Sequence, residues 1–288
     1  MTLHEKLAEA RARLVVAEIS QPEASLDVDL YARTILGWDR ARLLSEQQDA
    51  APERLEPTLS EWIARRERRE PSAYIIGVRE FWGLDFAVTP AVLIPRPETE
   101  FIVEEALAVL RAPGPVRVAD IGTGSGCVAV ALAREVPGCR LVASDISVKA
   151  LEVARANAAR HGVADRIEFV ATSYLDGVDG PFDVMTANPP YVKDGDKPAL
   201  SPAVRHEPDV ALFGGAEGLR DISGVLDTAV SKLSPGGWLV MEFGCGQEAS
   251  VEALVHARPT LRLDHVRADL QGISRTAVIQ KTPEAATR

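Results

Sequence analysis

Cysteine is scarce in this chain. Its 288 residues hold three, Cys127, Cys139 and Cys245, an odd and unpatterned set that suits neither a disulfide framework nor a zinc site. Long apolar runs are missing too, and none approaches the roughly 18 residues of a membrane-spanning helix. The N-terminus, MTLHEKLAEARARL, mixes acids and bases every few positions, without the basic start and apolar middle of a secretory signal. Positive charge is the minority sign. Lys and Arg number 32 against 42 Asp and Glu, a formal net charge of −10, which argues against holding a polyanion or a membrane surface by bulk charge. The cytoplasm is the expected compartment.

What is present is an ordinary globular mixture, 46% hydrophobic and 26% charged, long enough for about two domains. The first 70 or so residues read as helices. Leu3, Leu7, Ala10, Leu14 and Ala17 recur at helical spacing. A second helix is predicted over Ser25–Leu36, with Ser25 as N-cap and Gly37 past its end. Another is predicted to start at a Thr58/Glu61 capping box and to run to Glu70, where Pro71 stops it. The run RRERRE at 65–70 reads as a solvated helix face, with a contact surface for an acidic partner as the sharper alternative.

From Tyr74 to Pro95 the texture turns β-rich, and Gly83 is placed to turn a hairpin. The segment IPRPETE (94–100) then leads into an apolar helix over Phe101–Leu110. After Pro115, strands alternate with helices. Strands are predicted near Val116–Ala119, Arg140–Ser144, Ile167–Val170, Phe182–Ala187, Trp238–Phe243, Leu261–Arg267 and Thr276–Gln280. Helices are predicted near Ser125–Arg134, Val148–His161, Leu219–Leu233 and Gln247–Ala257. Such alternation implies an α/β fold with a mostly parallel seven-stranded sheet covered on both faces. The expected division is a helical-bundle domain over 1–72, a β-hairpin linker over 73–95, the α/β domain over 96–282 and a frayed tail over 283–288.

Two motifs carry chemistry. In VRVADIGTGSGCVAVALA a strand delivers Asp120, then Gly122, Gly124 and Gly126, then a helix. A dinucleotide loop would read G-x-G-x-x-G and seat a pyrophosphate. Here the third glycine comes one residue early, which suits a nucleoside without a diphosphate, such as S-adenosylmethionine. Asp145 ends the next strand, where a carboxylate can accept both ribose hydroxyls. Helix N-capping is the plainer role for it. Asp120 lies nearer the methionine end, where its charge complements an ammonium and a sulfonium.

The second motif is PFDVMTANPPYV. A strand delivers Asn188-Pro189-Pro190-Tyr191 to its carboxyl end, the ligand edge of open α/β sheets. The two prolines stiffen the loop. The Asn188 side-chain oxygen and the Pro189 carbonyl can then take both hydrogens of one –NH₂ group, while Tyr191 stacks on the flat system that carries it. Two acceptors favour the state in which positive charge grows on a poorly nucleophilic nitrogen. The two motifs together predict an S-adenosylmethionine-dependent N-methyltransferase of a planar –NH₂ group, needing no catalytic triad and no metal.

These residues resemble the PrmC/HemK family of peptide chain release factor protein-(glutamine-N5) methyltransferases. The resemblance runs through PSAYIIGVREFWGLDFAVTPAVLIPRPETE (71–100), DIGTGSG (120–126), ANPPYV (187–192) and RHEP (205–208), followed by Gly215 and Gly218. It implies a Rossmann-like methyltransferase domain behind a helical substrate-binding domain and a hairpin linker. The implied acceptor is the glutamine of the Gly-Gly-Gln motif of class 1 release factors. Residues Asp120, Gly122, Thr123, Gly124, Ser125, Gly126, Asp145, Tyr174 and Asn188 would bind the cofactor. Asn188, Pro189, Pro190 and Tyr191 would bind the glutamine, with Asn188, Pro189 and Tyr191 catalytic. Ser173 stands where the family usually has an acid, and His206 where a phenylalanine is common. A monomeric enzyme is expected, with a release factor as its protein partner.

Three alternatives remain at this level: a glutamine methyltransferase of a ribosomal protein, an adenine-N6 nucleic-acid methyltransferase, and a non-catalytic scaffold. The IPRPETE segment resembles the release-factor branch more closely than its ribosomal sister. Residues 1–72 hold 11 Lys and Arg against 14 Asp and Glu, which disfavours nucleic acid.

Overall fold

The computed structural model describes residues 1–110 and 116–283. Residues 111–115, between the expected apolar helix and the first strand of the α/β domain, and all but the first residue of the expected frayed tail fall outside them. The described chain forms two compact units, Met1–Gly77 with Ser201–His206, and Val78–Leu200 with the residues from Glu207 onward.

The first unit is helical: α1 (Leu3–Val16), α2 (Gln21–Leu36), α3 (Arg40–Ser45), α4 (Thr58–Glu67) and α5 (Ser72–Ile76). Its core gathers Leu3, Leu7, Leu14, Val28, Tyr31, Leu59 and Ile63, the apolar stripe that the α1 periodicity predicts. Several boundaries differ from the sequence expectation. Helix α2 starts a turn earlier, capped by Ser20, while the Ser25 hydroxyl lies inside it and donates to the Gln21 carbonyl. No side chain caps α4, and Thr58 is its first helical residue. The reciprocal capping box belongs instead to Thr2 and Glu5 of α1. Helix α4 stops at Glu67, because Arg69 turns left-handed before Pro71. Tyr74–Ile76, expected to be β-rich, closes the short helix α5.

The solvated-face reading of RRERRE holds for the exposed Arg68 but fails for Arg66. Arg66 is buried, its Nε donating to Asp27 at 2.7 Å and its Nη2 to Glu23, and Arg65 pairs with Glu70. The carboxylates reach Arg66 from α2, a tertiary neighbour that a local charge count does not register.

The second unit opens with a hairpin, β1 (Val78–Phe81) and β2 (Leu84–Ala87), joined by Trp82 and Gly83. Both turn residues have positive φ, as a two-residue hairpin loop that follows the strand twist requires. Next come α6 (Glu100–Val109), β3 (Val116–Ile121), α7 (Cys127–Glu135), β4 (Cys139–Asp145), α8 (Val148–Arg160), β5 (Ile167–Ala171), β6 (Phe182–Ala187), α9 (Asp209–Leu212), α10 (Arg220–Lys232), β7 (Leu233–Glu242), α11 (Glu248–His256), β8 (Leu261–Ala268) and β9 (Ser274–Lys281). The predicted strands and helices fall within these, with ends moved by a few residues. Strand β7 shows the largest shift. It begins at Leu233 because a register irregularity at Phe182/Val184 of β6 lets Leu233 pair ahead of the Pro-Gly-Gly segment.

The seven strands lie in the order β5-β4-β3-β6-β7-β9-β8, and only β9 runs against the others. Along each central strand, neighbouring residues serve opposite faces. Val118, Leu141, Val184 and Val240 pack with α6, α7 and the hairpin phenylalanines Phe81 and Phe86. Ala119, Val142, Met185, Leu239 and Met241 pack with α10 and α11. The chain leaves β3 for β4 and β5 on one side, then returns to place β6 on the other. The carboxyl ends of β3 and β6 therefore flank the point where the winding reverses, where a crevice opens in folds of this kind.

Candidate active site

Three strand ends converge on that crevice. It is a cavity of about 410 Å³, lined among others by Gly122–Ser125 after β3, Asp145 at the end of β4, Tyr174, and Asn188–Pro190 after β6. Its size lies within the roughly 300–1,000 Å³ usual for small-molecule sites.

The glycine loop is built from the backbone. Gly122 and Gly124 sit at φ +69° and +54°, a region a Cβ disfavours. The turn is tied by Thr123 N–H donating to the Ser144 carbonyl and Gly126 N–H to the Thr123 carbonyl. Gly126 does not line the cavity. It packs on α8, where an added Cβ would stand 3.1 Å from that of Ala154.

Asp145 is half-buried, and two amides fix its carboxylate. Gly124 N–H donates to Oδ2 at 2.9 Å and Ser147 N–H to Oδ1 at 2.8 Å. The side-chain cap of α8 is Ser147, not Asp145. Burial raises the Asp145 pKa, while the two amides oppose that rise. The carboxylate is thus held at the cavity wall with acceptor capacity beyond those two bonds. Asp145→Ala is expected to weaken S-adenosylmethionine binding at least about tenfold, the scale of a hydrogen bond to a charged acceptor. Calorimetric titration measures this, and unchanged affinity would remove Asp145 from the ligand contacts.

Asp120 is buried beneath the loop. Thr123 Oγ1 donates to its Oδ2 at 2.6 Å and Thr186 Oγ1 to its Oδ1 at 2.8 Å. Loss of solvent is the main cause that pushes its pKa up to about 6, and the two hydroxyls oppose it. The folded value lies above the unfolded one. The proton therefore stabilises the fold below about pH 4, and this contribution, about 3 kcal/mol at most, is lost as the pH rises through about 6. In ligand-free protein, Asp120→Asn should flatten the dependence of stability on pH between about 4 and 7. Denaturant unfolding at several pH values measures this, and equal slopes for both proteins would refute it.

Tyr174 stands at φ +49°. Its ring lies against Gly224 of α10, where a Cβ would come within 2.3 Å, and its hydroxyl donates to Asp221 at 3.0 Å. The Asn-Pro-Pro-Tyr segment is held from below. Val192 N–H donates to the Leu212 carbonyl, Gly214 N–H to the Val192 carbonyl, and Gln247 Nε2 to the Tyr191 carbonyl at 3.1 Å.

Asn188, Pro189 and Pro190 line the cavity, whereas Tyr191 is not among the lining residues. The Tyr191 hydroxyl donates to Glu242 at 3.0 Å, and burial with the adjoining carboxylate raises its pKa. Thr99, from the IPRPETE segment, donates to the other Glu242 oxygen at 2.7 Å and accepts from Asn188 Nδ2 at 3.0 Å. Sequence reasoning assigned neither Thr99 nor Glu242 to the site. An acid inside the apolar strand WLVMEF was the available signal, since a buried carboxylate needs partners. Nor was the clasp on the cavity rim foreseen. Glu207 accepts from Ile94 N–H at 3.1 Å and from Arg96, joining the segments that supply Leu93, Pro95 and Pro208 to the lining. Among the described residues, no cluster of three or more His, Cys, Asp or Glu is arranged to hold a metal, and no helix is long and apolar enough to cross a membrane.

Comparison with known proteins places the chain in a family. The methyltransferase small domain family matches residues 103–206, and the PrmC N-terminal domain family matches residues 5–77. The release factor glutamine methyltransferase of Bradyrhizobium diazoefficiens is 41% identical over 276 residues, spanning 94% of this chain and 92% of that protein. That of Moorella thermoacetica is 37% identical over 289 residues, spanning 99% and 100%. The hMettl16 catalytic domain, solved with a MAT2A 3'UTR hairpin, shares the fold at a TM-score of 0.58 and 16% identity, over 79% of this chain and 84% of that one. With near-full-length identity at this level and a family match at its N-terminus, the chain belongs to the release factor glutamine methyltransferase family.

Proposed function

We propose that this protein transfers a methyl group from S-adenosylmethionine to the side-chain amide nitrogen, N5, of the glutamine in the Gly-Gly-Gln motif of class 1 release factors. The observation that carries the reading is the opening of the glycine loop and the Asn-Pro-Pro corner onto one cavity at the switch point of the sheet, in a chain of this family.

The residues present fit the cofactor. Asp145 is a pinned carboxylate suited to two ribose hydroxyls, and the Gly122–Ser125 turn lines the cavity with open space beside Gly122 while the Thr123 and Gly124 amides hold its shape. Gly126 supports that turn on α8. The buried Asp120 offers negative charge to a ligand bearing an ammonium and a sulfonium. Tyr174 and Asn188 complete the wall. When bound, S-adenosylmethionine supplies a methyl group activated by the sulfonium. The chain's own part is to grip and aim the acceptor. Asn188 Oδ1 and the Pro189 carbonyl accept the two hydrogens of the glutamine amide, which keeps its nitrogen lone pair directed at the donor and favours the charge that grows there. Pro190 stiffens the corner, and Tyr191, which lies behind the cavity wall with its hydroxyl tied to Glu242, anchors that corner instead of stacking on the amide.

Residues 1–72 hold the body of the release factor while the cavity takes its exposed loop, with residues 73–95 as the link between them. Support comes from the PrmC N-terminal family match at 5–77 and from a helical unit without chemistry of its own. The enzyme works as a monomer in the cytoplasm, on protein and not on nucleic acid, because a net charge of −10 opposes a polyanion.

The test is incubation with methyl-labelled S-adenosylmethionine and a purified class 1 release factor, in its natural form and with Gly-Gly-Ala in place of Gly-Gly-Gln. Label is expected only in the glutamine form. Label in both forms, or in neither, would overturn the assignment.

A further inference from the structure

Asn188 has two faces of opposite hydrogen-bonding sense, and only one of them suits the acceptor described above. If Oδ1 faces the cavity, it accepts from an –NH₂ group. If the carboxamide is turned over, it presents two N–H groups to that –NH₂, donor against donor.

The surroundings of Asn188 decide between the two. Glu242, at the carboxyl end of β7, is only 1% exposed. Its two oxygens each accept a hydrogen bond, from the Tyr191 and Thr99 hydroxyls, at 3.0 and 2.7 Å. A threonine hydroxyl has a single proton. Burial raises the Glu242 pKa, and the hydrogen bonds from Thr99 and Tyr191 oppose that rise. With Glu242 ionised, Thr99 donates its one proton to that carboxylate and meets Asn188 with lone pairs only. Asn188 Nδ2 donates to it at 3.0 Å. Turning the carboxamide over would set Oδ1 against the Thr99 oxygen, two acceptors without a proton between them. In a half-buried place this leaves a polar pair unsatisfied.

We infer that Thr99, its proton committed to the buried Glu242, is a positioning residue that fixes the Asn188 carboxamide with its oxygen toward the acceptor nitrogen. The threonine of the IPRPETE segment, itself part of the cavity lining, thereby acts on the reaction through the orientation of Asn188. The inference rests on the proposed glutamine acceptor for its catalytic consequence. The orientation itself is independent of that reading.

Two threonine variants separate hydrogen bonding from packing. Thr99→Val keeps the shape and loses the hydroxyl, and Thr99→Ser keeps the hydroxyl and loses a methyl. With release factor as substrate, Thr99→Val is expected to lower kcat about tenfold, the scale of one hydrogen bond, with cofactor affinity nearly unchanged. Thr99→Ser should stay near the wild-type rate. Glu242→Gln should also lower kcat, because an amide can donate to Thr99 and so free its hydroxyl to donate to Asn188 Oδ1.

The orientation is read without substrate from the Asn188 side-chain –NH₂ pair in a proton–nitrogen correlation spectrum, assigned by its loss in Asn188→Ala. Its two proton signals should be well separated in wild type and move together in Thr99→Val. A Thr99→Val enzyme at full rate beside a slowed Thr99→Ser, or an Asn188 signal unchanged in Thr99→Val, would overturn the inference. An unchanged rate for Glu242→Gln would remove Glu242 from it. A wild-type enzyme that leaves glutamine unmethylated while the Asn188 signal still responds to Thr99→Val would sink the acceptor assignment and leave the orientation standing.

Discussion

Asn188→Ala is expected to reduce turnover on the release factor by roughly 10²–10³-fold, the loss seen when one preorganised polar contact to a transition state is removed. S-adenosylmethionine affinity should change far less. The substitution removes the side-chain oxygen that grips one amide hydrogen, and with it the partner of Thr99. It leaves the glycine loop, the Asp145 pins and the buried Asp120 intact. An acceptor held by one carbonyl alone pivots, and its nitrogen is no longer aimed. Single-turnover rates at saturating cofactor, with a separate binding titration, isolate the two effects. A variant that kept wild-type turnover would refute the role given to Asn188.

The second large effect is expected at a residue that has no side chain. Gly218 lies at φ +70°, and a Cβ there would stand 2.2 Å from the Tyr191 carbonyl oxygen and 2.8 Å from Gln247 Nε2. The left-handed backbone and the clash act together. The first costs about 1–2 kcal/mol for a residue with a Cβ, and forced overpacking adds about 1–3 kcal/mol. Gly218→Ala should therefore destabilise the protein by about 3 kcal/mol. Relief of the clash pushes on Tyr191, whose carbonyl accepts from Gln247 and whose hydroxyl meets Glu242. Turnover should fall together with stability, because the Asn-Pro-Pro corner precedes the displaced residue directly. Chemical denaturation and a methyl-transfer assay measure both. Gly83→Ala is the control, since nothing lies within 4 Å of a Cβ there and the positive φ alone remains. If Gly218→Ala cost no more than Gly83→Ala, the contact with Tyr191 would be carrying no strain.

Both effects depend on segments distant in the chain, and that separates what was legible in the residues from what was not. Local patterns carry local structure. The α1 stripe, the strand alternation after Pro115 and the turn at Gly83 each follow from short-range periodicity or φ preference. They fail where the deciding partner is remote. Ser25 reads as a cap by type, yet Ser20 captures the role because the helix gains an earlier turn. The RRERRE run reads as solvated, yet Asp27 and Glu23 of α2 draw Arg66 inside.

The same line runs through the site. The strand–helix alternation determines by itself the fold class, and the residue types in DIGTGSG, Asp145 and Asn-Pro-Pro-Tyr the chemistry to be sought, because periodicity, tight turns and acceptor groups are properties of consecutive residues. Only the folded sheet decides that Asn188 meets Thr99, that a strand acid at 242 holds both Thr99 and Tyr191, and that Glu207 clasps the 94–96 segment. Those contacts join residues 89, 143, 51 and 113 positions apart. A hydrogen bond depends on a few ångströms in space, and no local spacing rule encodes a distance across the sheet.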